Sequence, residues 1–283
     1  MTIGVIGGSG IYEALPLENV EKRHVDTPFG DPSHELTLGE LAGEEVAFLP
    51  RHGPDHQHTP TNAPYKANIY ALKSVGVDRV VSTNAVGSLR EDLPPRSLLV
   101  PTQIVDRTSR REHTFFGDGM VVHMGFADPY DPAMVEHLAG AAERADVDVE
   151  SGGTYVCIEG PQYSTRAESE FYRDQGWDVV GMTAIPEAKL AREAELAYAT
   201  VTGVTDYDVW KTDSEVTLDE VLENADANQE SINAIIEEAV RSMPDDFESD
   251  AWSALEGTVN TPSDAIPADT RERVDLLAGQ YLD

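Results

Sequence analysis

Short apolar segments that alternate with longer helical patterns constrain the fold of this chain more than any other feature of its sequence. Strand-like segments are predicted at 2–6, 36–38, 46–49, 80–83, 94–105, 155–158, 179–182 and 198–204. Apolar residues at helical spacing predict helices at 63–75, 131–145, 165–175, 186–194 and 218–243. This alternation predicts an α/β protein whose central mixed β-sheet is covered by helices on both faces.

A change of composition after residue 243 suggests how the chain is organised. Its 283 residues are enough to bury a substantial core, and no internal repeat is visible. From residue 244 onward, acidic residues are interrupted by Pro and Gly, with one short helical pattern at 270–277. We therefore divide the chain into a main domain, 1–243, and an acidic C-terminal extension, 244–283. We expect the extension to dock on the main domain or on a neighbouring subunit.

The charge balance excludes some partners. The chain has 52 acidic and 20 basic residues and a net charge of -32, so nucleic acid and anionic membranes would be repelled. With 40% hydrophobic residues and regular patterning, we favour adaptation to high salt over an acidic disordered protein. There is no apolar run of about 18 residues, no basic leader and only one cysteine, Cys157. These features predict a soluble, cytoplasmic protein without membrane or nucleic-acid partners.

A glycine-rich segment follows the first predicted strand. Glycines at 7, 8 and 10 allow the backbone to approach an anion, and Ser9 offers a hydroxyl donor. The segment lacks the third glycine of a dinucleotide fingerprint, since Glu13 stands there, and it lacks the lysine of a P-loop. By itself it is as consistent with a tight turn as with an anion site.

Arg51 and His52 follow another strand and form a second candidate anion site. The arginine fork suits a phosphate, and the histidine can add a second donor. His56 and His58 come soon after, which raises the possibility of a zinc site. Pro54 disfavours a helix that would present the three histidines on one face, so we predict no metal.

Polar residues also follow four later strands. A turn is expected at 84–87, and further loops follow the strands ending near residues 158, 182 and 204. In the last of these, Asp206 and Asp208 flank a tyrosine; they could act as a general acid and a hydrogen-bond acceptor, or be solvated turn residues. Considered together, these strand ends predict one cleft along an edge of the sheet.

Six ordered motifs resemble the trimeric purine nucleoside phosphorylase and methylthioadenosine phosphorylase family over residues 3–243. They are IGVIGGSGIYE, PRHG, NAVGSL, IEGPQYSTRAESEFYR, GMTAIPEAKLAREAELAYA and TDYDVW. The resemblance implies the single-domain nucleoside phosphorylase fold for 1–243. It also implies an enzyme, a pentosyltransferase of purine salvage that assembles as a homotrimer or a dimer of trimers.

The resemblance further implies a set of site residues. The phosphate site would comprise Ser9, Arg51, His52, Asn84, Ala85 and Thr183. The nucleoside would be bound by Tyr163, Ser164, Met182, Asp206, Asp208, Leu218 and Val221, together with His123 from a neighbouring subunit. Asp206 would be the catalytic acid at N7 of the purine, and Asp208 would accept from the 6-amino group.

The implied reaction is phosphate-dependent cleavage of S-methyl-5'-thioadenosine to adenine and 5-methylthioribose 1-phosphate. Inorganic phosphate would be the co-substrate, with no cofactor. The alternative is a 6-oxopurine nucleoside phosphorylase, acting on inosine, guanosine or methylthioinosine, and a third is a non-catalytic binder. Ser164 and both aspartates favour adenine, because the 6-oxopurine enzymes have Glu and Asn in place of Ser164 and Asp206. Asn84 disagrees, because methylthioadenosine enzymes commonly have Thr there.

Overall fold

Eleven strands form one sheet in the computed structural model, which describes residues 2–8, 15–211 and 216–282. The strands are β1 Thr2–Gly7, β2 Glu18–Arg23, β3 Leu36–Leu41, β4 Glu44–Pro50, β5 Val77–Ser88, β6 Leu98–Val100, β7 Gln103–Asp106, β8 Glu150–Ser151, β9 Thr154–Cys157, β10 Val179–Gly181 and β11 Ala197–Asp206. The α-helices are α1 Tyr65–Ser74, α2 Pro132–Arg144, α3 Arg166–Asp174, α4 Ala184–Glu193, α5 Leu218–Arg241 and α6 Ala268–Ala278.

The sheet is mixed, as the sequence predicts. β1 lies between β4 and β5 and runs parallel to both, and β11 is parallel to β5 on the other side. β10 pairs antiparallel with the end of β5 and parallel with β9. Helices α2, α4 and α5 pack against β11, which is buried along its whole length. The expected α/β fold with helices covering a mixed sheet is therefore confirmed.

Local sequence signals set the helix starts. Asp131 caps α2, and its Oδ1 accepts from the Met134 N–H at 2.9 Å. At the start of α3, the hydroxyl of Thr165 and the side chain of Glu168 form a reciprocal capping box. Each cap satisfies backbone donors that a helix end leaves unpaired.

β5 is longer than predicted, so the turn expected at 84–87 is wrong. The strand continues to Ser88, with Asn84 opposite Thr202 of β11. Because β11 and β10 pair with this stretch, its backbone groups are used in the sheet and the chain stays extended. Glycine at position 87 leaves room for the Asp206 side chain, because a Cβ at this position would lie only 2.8 Å from Asp206 Oδ1.

β2 was not predicted from the sequence. All its residues are exposed and most are polar or charged, so no alternation of apolar and polar residues marks it. It pairs with β3 at the end of the sheet order, where charged side chains are usual for an edge strand.

The segment 244–282 packs onto the rest of the chain. Leu255, Ile266, Val274 and Leu277 belong to the same hydrophobic core as the sheet. The Trp252 indole N–H also donates to the Asp78 carbonyl at 3.0 Å. In the described part of the chain, no helix is long and apolar enough to cross a membrane.

Candidate active site

A cavity of about 530 Å³ opens where β1, β4, β9, β10 and β11 end and where β5 passes beside them. That volume is typical of a site for a small organic molecule. Its lining includes most of the residues that the sequence singles out: Arg51, His52, Asn84, Ala85, Tyr163, Ser164, Met182, Thr183, Asp206, Asp208, Leu218 and Val221. The structure therefore brings together residues that are up to 170 positions apart, from 51 to 221.

Two expected site residues are not among them. Ser9 lies outside the described residues, although Gly8 before it lines the cavity. His123 is exposed, and its backbone N–H donates to the Thr258 carbonyl at 3.0 Å, next to the bridge of Val122 with Val259. Within the described part of the chain, it does not line this cavity.

Arg51 is buried at one end of the cavity and is held by an ion pair. Its Nε and Nη2 donate to the two carboxylate oxygens of Glu187 at 2.6 and 2.8 Å. Nη2 also donates to Ser82 Oγ at 2.6 Å, and Nη1 donates to the Thr83 carbonyl at 3.0 Å. Burial alone would lower the pKa of Arg51, but the Glu187 carboxylate raises it above its usual value. Arg51 therefore stays charged in the interior.

His52 lies beside Arg51 and is neutral. Its Nδ1 is 2.8 Å from the His58 carbonyl oxygen, which can only accept, so Nδ1 carries the ring proton. Burial, together with the charge of Arg51, lowers the pKa of His52 to about 3. His56 stacks on it, with ring centroids 4.5 Å apart. Among the described residues, no three His, Cys, Asp or Glu side chains are arranged to hold a metal ion.

Asn84 belongs to this same end of the cavity. Its Nδ2 donates to Thr183 Oγ1 at 2.6 Å, and its Oδ1 accepts from the Thr200 hydroxyl. Because Thr183 Oγ1 accepts from Asn84, its own hydrogen can be donated to another acceptor. From its place in β5, Asn84 therefore orients the hydroxyl of Thr183.

Asp206 and Asp208 lie beside Gly87 of β5, four residues beyond the Thr83 carbonyl that accepts from Arg51, so they line the other end of the cavity. Asp206 ends β11, and its carboxylate accepts from the Thr205 hydroxyl and the Asp208 N–H, each at 2.7 Å. Asp208 has a left-handed backbone, φ 50°, which aspartate tolerates better than most residues. This turn directs both carboxylates to one cavity.

Burial raises the pKa of both carboxyl groups. For Asp206 the two hydrogen bonds oppose the rise, and for Asp208 the nearby charge of Asp206 adds to it. The hydroxyls of Ser164 and Ser169 oppose the rise at Asp208, but neither makes a well-aligned hydrogen bond in the described part of the chain. Asp208 Oδ2 and Ser164 Oγ are therefore buried polar atoms without a hydrogen-bond partner among the described residues, as expected where a polar ligand binds.

The mouth of the cavity is apolar and open. Tyr163 and Leu218 are 40% and 63% exposed, and Val221 lies one helical turn after Leu218 on α5. Met182 follows β10 and forms part of the wall. These are the positions expected for a ring stack and a small apolar group.

Sequence reasoning missed the residues that hold this site in shape. Arg111 is buried and donates to the carbonyls of Met182 at 2.6 Å, Ile158 at 3.1 Å and Glu159 at 2.7 Å. It thereby connects the loops that follow β9 and β10. Arg111 lies in a loop without a recognisable motif, so the sequence contains no local signal for it. For Glu187, the signal was a carboxylate among apolar residues, which needs a buried partner.

Comparisons with known proteins agree with this fold. The family model described as the phosphorylase superfamily matches residues 2–241, so the chain belongs to that superfamily. Its relatives there include the S-methyl-5'-thioadenosine phosphorylases of Koribacter versatilis, 48% identical, and Chloroflexus aurantiacus, 49% identical. Each alignment covers 99% of this chain and, respectively, 96% and 98% of the relative.

Solved structures similar to this chain also come from this family. A methylthioadenosine phosphorylase from an antarctic soil metagenomic library superimposes with a TM-score of 0.91 at 46% identity, over 97% of this chain and 98% of that one. The Schistosoma mansoni methylthioadenosine phosphorylase in complex with adenine has a TM-score of 0.83 at 38% identity, over 85% and 91%. The family predicted from the six motifs is confirmed.

Proposed function

We propose that this chain catalyses the phosphate-dependent cleavage of S-methyl-5'-thioadenosine to adenine and 5-methylthioribose 1-phosphate. The observation that carries the proposal is the pair of buried carboxyl groups, Asp206 and Asp208, facing a cluster of donors across one cavity. The relatives named for this activity support it.

The donor cluster suits a phosphate ion. Arg51, the hydroxyl of Thr183 and the backbone of Ala85 would bind its oxygens, with Ser9 as a further donor. Bound phosphate would attack C1' of the sugar as the C1'–N9 bond breaks, so no nucleophile of the protein, no metal and no cofactor is needed. Inorganic phosphate is then the only co-substrate.

Asp206 would serve as the general acid. As the glycosidic bond breaks, negative charge builds on the purine, and a proton passing from Asp206 to N7 neutralises it. The purine leaves as neutral adenine, and Asp206 recovers a proton that phosphate releases on forming the ester. Burial raises the pKa of Asp206 and so favours the protonated form that this step requires.

Asp208 and Ser164 would select the base. A carboxylate oxygen without a partner suits the 6-amino group of adenine and disfavours a 6-oxo group. Asn84, the residue that fits the 6-oxopurine alternative, bonds Thr183 and Thr200 on the phosphate side, so its identity says little about the base. This supports adenine over hypoxanthine.

The chain would act as an oligomer in a salty cytoplasm. His123, exposed and outside its own cavity, would complete the sugar end of a neighbouring copy in a trimer or a dimer of trimers. The net charge of -32 would be tolerated where salt screens it. Light scattering in molar KCl should then show a trimer or hexamer, and a fully active monomer would exclude that role for His123.

Product analysis tests the reaction itself. In molar KCl, we expect adenine release from methylthioadenosine only when phosphate is present, and slower or no base release from inosine. A preference for inosine would establish the 6-oxopurine alternative. Failure to release base from either nucleoside, or from adenosine, would favour a non-catalytic binder.

A further inference from the structure

Four of the five N–H groups of Arg51 are used inside the protein. Glu187 accepts two, Ser82 accepts one, and the Thr83 carbonyl accepts one. The fifth, on Nη1, has no acceptor in the described part of the chain. Nη1 lies against Gly8, since a Cβ on that glycine would be 3.0 Å from it, and Gly8 lines the cavity. One N–H of a guanidinium group that lines the cavity is therefore left for a ligand, and the four other hydrogen bonds fix its orientation.

Glu187 fixes this orientation without reaching the cavity itself. Its Oε1 accepts from Arg51, from Ser82 Oγ and from the Tyr198 hydroxyl, each at 2.8 Å. Its Oε2 accepts from Arg51 Nε at 2.6 Å. Glu187 is 1% exposed and is absent from the cavity lining, so it acts on a ligand only through Arg51.

We propose that Glu187 is the positioning residue for the phosphate site, holding Arg51 so that only Nη1 faces the ligand. The inference rests on the proposed function. Glu187 occupies the Nε–Nη2 edge, one of the guanidinium edges that can bind an oxyanion through two parallel N–H groups. Phosphate therefore receives a single, directed N–H, and the carboxylate balances the guanidinium charge.

Glu187 and Glu193 both lie in α4, and substitutions at the two positions allow a matched test of the positioning role. Glu187→Gln keeps the shape of the side chain but removes its charge and one acceptor oxygen, whereas Glu187→Asp keeps the charge and retracts it. Glu193→Gln is the control, because Glu193 is another buried carboxyl of α4, but bonds Thr114 and the Phe115 N–H away from the cavity. KM is measured for phosphate and for methylthioadenosine, and thermal shifts are measured with phosphate and with adenine.

We expect Glu187→Gln to raise KM for phosphate by about 10- to 100-fold, since displacing a binding group by about 1 Å can cost that much. KM for methylthioadenosine should change by less than about threefold. The phosphate-induced thermal shift should be lost and the adenine-induced shift kept. Glu187→Asp should recover part of the phosphate affinity, and Glu193→Gln should leave both constants unchanged.

If the Glu187→Gln variant folds and has the same KM for phosphate as the unaltered protein, the proposal is wrong. It is also wrong if KM for phosphate and KM for methylthioadenosine change by the same factor. If Glu187→Gln does not fold, Tyr198→Phe removes a single hydrogen bond to Glu187 and decides instead. It should raise only the phosphate KM, by a few-fold, and no change would reject the positioning role. Absence of phosphorolysis by the unaltered protein would instead reject the proposed function.

Discussion

The two ends of the cavity are built in opposite ways. At the phosphate end, Arg51 and Asn84 have partners within the protein, so donors are oriented before any ligand arrives. At the base end, Asp208 Oδ2 and Ser164 Oγ are buried without a hydrogen-bond partner in the described part of the chain. One end is preassembled, and the other is completed by the ligand.

The difference also appears in the titrating groups. At the phosphate end, the pKa of Arg51 is raised by Glu187 and that of His52 is lowered to about 3 by burial, so neither changes charge near neutral pH. At the base end, burial raises the pKa of Asp206 and of Asp208 above the usual value of an aspartate. The pH dependence that the protein itself contributes to activity should therefore come from the base end, in addition to the ionisation of phosphate.

The largest effect on activity should follow from a substitution that affects only the base end of the cavity. Asp206→Asn keeps the oxygen that accepts from the Asp208 N–H but removes the proton that is donated to N7. We expect kcat/KM for methylthioadenosine to fall by about 10²–10⁴, the usual contribution of a general acid. The phosphate-induced thermal shift should be unchanged. Turnover equal to that of the unaltered protein would remove Asp206 from the mechanism.

The pH profile sharpens that test. The protonated form of Asp206 is lost as the pH rises through its raised pKa, so kcat/KM should fall on the alkaline side by about tenfold per pH unit. Asp206→Asn should lack that limb. The ionisation of phosphate itself appears in both profiles and cancels in their ratio, so a constant ratio would contradict the assignment.

A smaller effect should follow from changing the selectivity of the base end. Asp208→Asn preserves size, and asparagine tolerates the left-handed backbone at this position. It presents an amide where a carboxylate accepted from the 6-amino group, so the preference for methylthioadenosine over inosine should fall by about 100-fold. KM for phosphate is the internal control and should not move. An unchanged preference would show that Asp208 does not contact the base.

Some residues at the two ends of the cavity could be predicted from the sequence, and others could not. Arg51, Asp206 and Asp208 follow strands, and the rule that ligands bind where strands end brought them together. Asn84 was expected in a turn, but β5 stays extended there because it pairs with β11. The paired residues are more than 100 positions away, so the sequence around Asn84 does not indicate this pairing. Glu187 was also missed: a carboxylate among apolar residues indicates that a buried partner exists, but the partner, Arg51, is 136 residues away and the sequence does not identify it.

The smallest predicted effect separates the pH dependence of stability from that of activity. Glu193 is buried without a cationic partner in a salt bridge within the described part of the chain, and burial raises its pKa to about 7 from an ordinary 4.5. The folded state therefore holds a proton that the unfolded chain releases between these values. This contribution to stability is complete below about pH 4.5 and is lost as the pH rises through 7.

Glu193→Gln removes this titration, while the rest of the protein titrates as before. The free energy of unfolding of the unaltered protein, minus that of the variant, should fall by at most about 3 kcal/mol between pH 5 and 8. Denaturant unfolding at constant molar salt measures it, and Glu18→Gln on the exposed strand β2 controls for the loss of one acidic residue. A difference that stays flat with pH would show that Glu193 is ionised in the fold.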